Sequence, residues 1–194
     1  MKEQPMMYVF AGNNGSGKST FRSLLIDKLG IEINIDPDAI ARRLDRLNFE
    51  SKRMAAGREA LKLVNECINT RKSFSIETTL SGNVAIRQIK EAKRNGFEVT
   101  MFFLGLEDVN KNIERVALRV KNGGHGIPTE DILRRHKRSL ENLIQNIEHI
   151  DNLLVVDNSN LGGQLIIESV KGFITYQSNH VPNWVKPIIS KLKS

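Results

Sequence analysis

With a single cysteine, Cys67, among 194 residues, the chain has no pair from which to build an internal disulfide. That cysteine lies in a helical pattern and is expected to be a small buried hydrophobe in a reducing cytoplasm. No run approaches the roughly 18 apolar residues of a membrane span. The opening MKEQPMMYVF lacks the apolar region and small-residue cleavage site of a signal peptide. Aromatic residues make up only 6% of the chain, and none are interleaved with basic residues as a base-stacking platform would require. Nucleic acid is therefore not the expected partner. Acidic residues are the minority, 22 against 29 lysines and arginines, and the net charge of +7 favours anionic ligands, nucleotides and sugar nucleotides included. There are no repeats, low-complexity tracts or linkers, and 40% hydrophobic residues suit one domain over 1–194 with a substantial core.

Short apolar, β-rich runs recur at 6–10, 31–35, 73–77, 97–104 and 153–156. Between and after them lie helical patterns at 18–29, 38–48, 53–71, 83–95, 108–121, 129–148 and 163–172. Strands separated by helices of this length imply an α/β fold with a mostly parallel sheet of about five strands and helices on both faces. The basic tail 173–194, with His180, Pro182, Trp184 and Pro187, reads as a loop and a short helix. In such sheets ligands bind beyond the carboxyl ends of the strands.

The first of those ends carries "AGNNGSGKST", residues 11–20. Gly12, Gly15, Gly17, Lys18 and Ser19 match G-x-x-x-x-G-K-[ST], between a strand and an amphipathic helix, which is the context of a Walker A loop. The loop Gly12, Asn13, Asn14, Gly15, Ser16, Gly17, Lys18, Ser19 and Thr20 is thus the candidate ATP-phosphate cradle. Lys18 reaches the β- and γ-phosphates, and Ser19 is the candidate Mg²⁺ ligand. The layout is that of a P-loop three-layer sandwich.

Two further strand ends are polar. "INIDPDAIARRL" places Asp36 just past the second strand, followed by Pro37 at a favourable first helical position. Asp36 is a natural helix cap and also the candidate base accepting a hydroxyl proton during phosphoryl transfer. After the third strand, "SIETTLSG" groups Glu77, Thr78, Thr79 and Ser81. Glu77 and Thr79 are candidate contacts to a hydroxylated substrate, with Glu77 also able to hold a Mg²⁺-bound water. No aspartate follows the fourth apolar run as a Walker B motif would supply, and Asp157 reads as a turn or cap residue.

Downstream, "NIERVALRVKNGGHGIPTEDILRRHKRSL" joins two cationic helices through a glycine-rich break. Arg115 and Arg119 share a helix face at i, i+4. Arg134, Arg135, His136 and Arg138 follow the break. The segment 108–148 reads as a helical lid whose guanidinium groups can neutralise a moving phosphoryl group.

From "AGNNGSGKST" through "NIDPDAIAR" and "FSIETTLSG" to "RVKNGGHGIPTEDILRRHKRSLENL", the chain resembles the zeta toxin family of small P-loop kinases. The resemblance implies Asp36 as base, Lys18 on the phosphates, and Glu77 and Thr79 along the substrate. It places one phosphate-clamping arginine on Arg119, and the other on Arg134 or the GGHGIP loop. It further implies ATP and Mg²⁺ as cofactors, UDP-N-acetylglucosamine as acceptor, and an antitoxin protein as partner. Chloramphenicol-phosphotransferase-like antibiotic kinases share the layout. A polynucleotide 5′-kinase or RNA-binding P-loop protein is the reading that the positive charge alone suggests.

Overall fold

Along Met6–Ala11 the side chains of Met7, Val9 and Ala11 pack into one apolar cluster, and those of Tyr8 and Phe10 into another. A strand covered on both faces needs such an unbroken apolar run. It is strand β1, near the middle of the sheet, in a computed structural model that describes residues 4–45, 49–160 and 162–193. After it come α1 (Lys18–Leu25), β2 (Ile33–Ile35), α2 (Pro37–Leu44), α3 (Arg53–Thr70), β3 (Phe74–Thr78), α4 (Asn83–Arg94) and β4 (Glu98–Gly105). Then follow α5 (Val109–Lys121), α6 (Thr129–Asn146), β5 (Asn152–Asp157), β6 (Gln164–Val170), β7 (Phe173–Gln177) and α7 (Lys186–Ile189).

The strand order is β2-β3-β1-β4-β5-β6-β7. The first five are parallel, with Val9 opposite Ile76 on one side and Met101 on the other. Because β1 leads through α1 to β2, and β3 and β4 flank β1, the chain changes direction across the sheet at β1. That switch opens a crevice at the carboxyl end of β1. One face of the sheet is covered by α3, α4, α6 and α7 through Val64, Ile89, Leu143 and Ile188. On the other, Phe21 and Leu25 of α1 cover Phe10 and Phe102, whose rings stack at 5.0 Å.

Residues 164–177 correct the expectation of a helix over 163–172 and extend the sheet to seven strands. They form an antiparallel hairpin, β6 pairing with β5 and β7 with β6. Val170 faces Phe173 across Lys171 and Gly172, both at positive φ (51° and 82°). Such a two-residue turn matches the twist of the flanking strands, and it overrides the helical spacing of the apolar residues. The tail beyond β7 contains a 3₁₀ turn, Asn183–Val185, and the short α7. The helix expected over 38–48 runs from Pro37 to Leu44, and residues 46–48 lie outside the described residues. Among the described residues no helix is long and apolar enough to cross a membrane.

Candidate active site

The loop between β1 and α1 is shaped by glycines at positive φ. Gly12 has φ 139°, and a Cβ there would collide with the Leu104 carbonyl oxygen. Gly17 has φ 94°, and a Cβ there would collide with the Asn158 amide. Gly17 also precedes α1 without any side-chain cap. The amides of Lys18, Ser19 and Thr20 consequently have no acceptor within the helix, and its positive end faces the crevice. An uncapped helix start behind a glycine-shaped loop fits a phosphate group.

Polar groups from distant segments hold the loop open. Asn112 Nδ2 donates to the Asn14 carbonyl at 2.7 Å, and Asn158 Nδ2 donates to the Ser16 carbonyl at 2.8 Å. Asn13 Nδ2 donates to the Ile132 carbonyl at 3.1 Å, and Arg135 Nη1 donates to Asn14 Oδ1 at 3.0 Å. The last two tie α6 to the loop. Gly15 lies against Asn112, and Ser16 is wholly buried. Ser19 and Thr20 are exposed at the start of α1.

Lys18 is only 7% exposed and donates from Nζ to the Asn13 carbonyl at 2.9 Å. Burial pulls its ammonium below the ordinary lysine value. Glu77 opposes this most strongly, followed by Asp38, while Arg119 adds to the lowering and Asp36 resists it. Ser19 Oγ donates to Glu77 Oε1 at 2.8 Å. A hydroxyl beside a carboxylate is an oxygen pair of the kind Mg²⁺ takes while keeping several waters, so these residues fit that ion.

Asp36 and Glu77 come together through Arg22, a residue that the motif reading did not single out. Its Nη1 lies 3.6 Å from Asp36 Oδ2 and 3.4 Å from Glu77 Oε2. The available signal was spacing, since Arg22 stands four residues after Lys18 and three after Ser19, on the same helix face. Asp36, 8% exposed, also caps α2, its Oδ1 accepting from the amides of Asp38 at 3.0 Å and Ala39 at 3.3 Å. Burial raises the Glu77 carboxyl above its ordinary value. Lys18 opposes that most, Asp36 adds to it, and the Ser19 hydrogen bond and Arg22 oppose it.

Beyond Glu77, the Thr79 and Ser81 hydroxyls bond each other at 2.8 Å. The loop they share is anchored to α6 where Asn142 Nδ2 donates to the Leu80 carbonyl at 2.8 Å. The arginines divide. Arg119 donates from Nε and Nη2 to the His125 carbonyl, at 3.2 and 2.9 Å, which fixes the glycine-rich turn against α5. Arg134 is ion-paired with Asp131 and its side chain is 55% exposed. The neighbouring Arg135, 17% exposed, is the one that meets the phosphate loop. Asp157 accepts from the Ser159 amide and hydroxyl in a turn after β5.

The family model "Zeta toxin" matches residues 1–162 of this chain. An uncharacterized protein of Haemophilus influenzae is 42% identical over 125 residues, which are 64% of this chain and 87% of that protein. Among solved structures, one from the PezAT chromosomal toxin-antitoxin system of Streptococcus pneumoniae superposes with a TM-score of 0.65 at 16% identity. It covers 98% of this chain and 79% of its own. A complex of AvrRxo1-ORF1 and -ORF2 with ATP gives a TM-score of 0.67 at 12% identity, covering 99% of this chain and 64% of its own. With a family match over residues 1–162 that spans the phosphate loop and both strand-end carboxylates, this chain belongs to the zeta toxin family of P-loop kinases.

Proposed function

We propose that the protein is an ATP-dependent kinase that transfers the γ-phosphate to a hydroxyl of a small molecule seated at the ends of β2 and β3. The observation that carries this is the 2.8 Å hydrogen bond from Ser19 to Glu77, which joins the phosphate cradle to the carboxylates on the acceptor side. Lys18 and the uncapped amides of α1 bind and orient the triphosphate. Ser19, with Glu77 beside it, would hold Mg²⁺, which when bound would supply charge neutralisation. Asp36, held in place by two backbone amides, accepts the proton that the acceptor hydroxyl loses. Glu77 positions the acceptor, with Thr79 beside it, and the cations Arg119 of α5 and Arg135 of α6, the latter already bonded to the phosphate loop, offset charge on the transferring group.

Within that reading the acceptor is a UDP-amino sugar, UDP-N-acetylglucosamine, as the family resemblance implies. The same resemblance implies a cytoplasmic toxin restrained by an antitoxin protein. The PezAT and AvrRxo1 structures, solved from two-component systems, support looking for that partner. The experiment is ADP release and transfer of labelled γ-phosphate from MgATP. Acceptors are UDP-N-acetylglucosamine, chloramphenicol, an RNA 5′-hydroxyl end, and none. Labelled sugar nucleotide is the expected product. Labelling of the RNA end alone would replace the small-molecule reading.

A further inference from the structure

A cavity of about 190 Å³ opens beside Glu77, between α3, α4 and the ends of β2 and β3. Its wall is largely aliphatic, with Val64, Ile76 and Val84, and its polar groups include Glu77 and Gln88. Among the described residues no lysine, arginine or histidine lines it. A phosphate entering here would find a carboxylate and no cation to match its charge. An apolar cavity of about 150 Å³ holds benzene, so this one is large enough for a group of that size.

Gly57 gives the cavity a second signature. It sits inside α3, where glycine is the least favourable residue after proline. Its φ is not positive, and a Cβ there would meet nothing within 4 Å. Neither backbone conformation nor close packing requires a glycine at this position. What its missing side chain provides is the space of the cavity it lines.

Resting on the kinase reading, we infer that this cavity is an acceptor subsite for an uncharged acyl- or aryl-sized substituent carried next to the phosphorylated hydroxyl, and that Gly57 keeps it open. Glu77 at the cavity's edge ties the subsite to the reacting end, because the same carboxylate bonds Ser19 and pairs with Arg22. The acetamido group of an amino sugar and the aryl ring of an uncharged diol both fit this description. A diphosphate does not, so the nucleotide part of a sugar nucleotide lies outside the cavity.

The test uses the full chain with a non-hydrolysable ATP analogue, following the methyl resonances of Val64, Ile76 and Val84. Probes are N-acetylglucosamine, chloramphenicol, glucose and glucosamine. At least one of the first two should shift these methyls, and the last two should not. Gly57→Leu should abolish that shift. It should also raise KM for the same compound, or its UDP derivative, by about 10-fold or more with kcat little changed, while Gly57→Ala gives an intermediate effect. Equal shifts from glucose, no shift from any probe, or an unaltered KM in Gly57→Leu overturns the subsite. Failure of the kinase reading looks different. It would leave wild type with no ADP release for any acceptor and no thermal stabilisation by ATP.

Discussion

Replacing Asp36 by asparagine and by alanine separates two duties that one carboxylate holds. Its Oδ1 caps α2 through the Asp38 and Ala39 amides, and its Oδ2 faces Arg22 at 3.6 Å. Asparagine keeps an acceptor for both amides, so the cap survives and only the long contact to Arg22 changes its charge. Alanine removes the cap, which costs about 1 kcal/mol and up to about 2. In a chain of this length 1 kcal/mol moves Tm by roughly 2–4 °C. Asp36→Ala should therefore melt about 2–8 °C lower, and Asp36→Asn within about 2 °C of wild type. Neither amide nor methyl accepts a proton as a carboxylate does, so both variants should lose about 10²-fold or more in kcat. KM for ATP should hold in Asp36→Asn, because the phosphate loop is untouched. The assay is phosphoryl transfer to whichever acceptor the labelling experiment finds, run beside calorimetric melting. If Asp36→Asn keeps kcat within about threefold of wild type, the proton-accepting role is refuted and only the cap remains.

Lys18→Ala should abolish transfer and leave the chain folded, since its Nζ makes a single hydrogen bond, to the Asn13 carbonyl; near-normal turnover would remove the Walker A reading. Arg119→Lys or Arg135→Lys should lower kcat by about 10-fold or more with little change in ATP binding, because lysine lacks the planar two-pronged donor. Silence in both, together with RNA affinity that falls steeply with salt, would move the basic surface to a nucleic-acid role. Glu77→Gln tests the raised carboxyl. A folded-state value above the unfolded one makes Glu77 least costly below the unfolded value, and that benefit is lost as pH rises through the folded value. The variant's Tm relative to wild type should therefore climb across that window, even as transfer is lost. A relative Tm that falls with pH would contradict the burial argument.

The phosphate loop and the five parallel strands were legible because each is written in consecutive residues: three glycines and a lysine behind MMYVF, and apolar runs spaced by helices. The β6–β7 hairpin was not. Leu165, Ile166, Ile167 and Val170 satisfy helical spacing, and only the Lys171–Gly172 turn argues for strands. Asp36 and Glu77 could be placed at strand ends from the sequence. Their joint contact with Arg22, and the Asn112 and Asn158 bonds to the loop, are tertiary facts set by how α1, α5 and the β5 turn pack. The sequence reading offers Arg134 or the GGHGIP loop as the second clamp, and the rotation of α6, which spacing alone does not give, puts Arg135 on the loop and Arg134 toward solvent.

Helix α6 touches the phosphate loop through Ile132 and Arg135, and it touches the loop after β3 through Asn142. Those contacts are spread over on the order of 15 Å of one continuous helix. A rigid rod resting on both sites cannot shift at one end without disturbing the other. On the proposed kinase reading, nucleotide and acceptor would then be thermodynamically linked: by whatever factor ATP alters the acceptor's dissociation constant, the acceptor alters that of ATP by the same factor. Cutting the rod's far support with Asn142→Ala would bring that factor toward one, and it would also release the loop that carries Thr79 and Ser81.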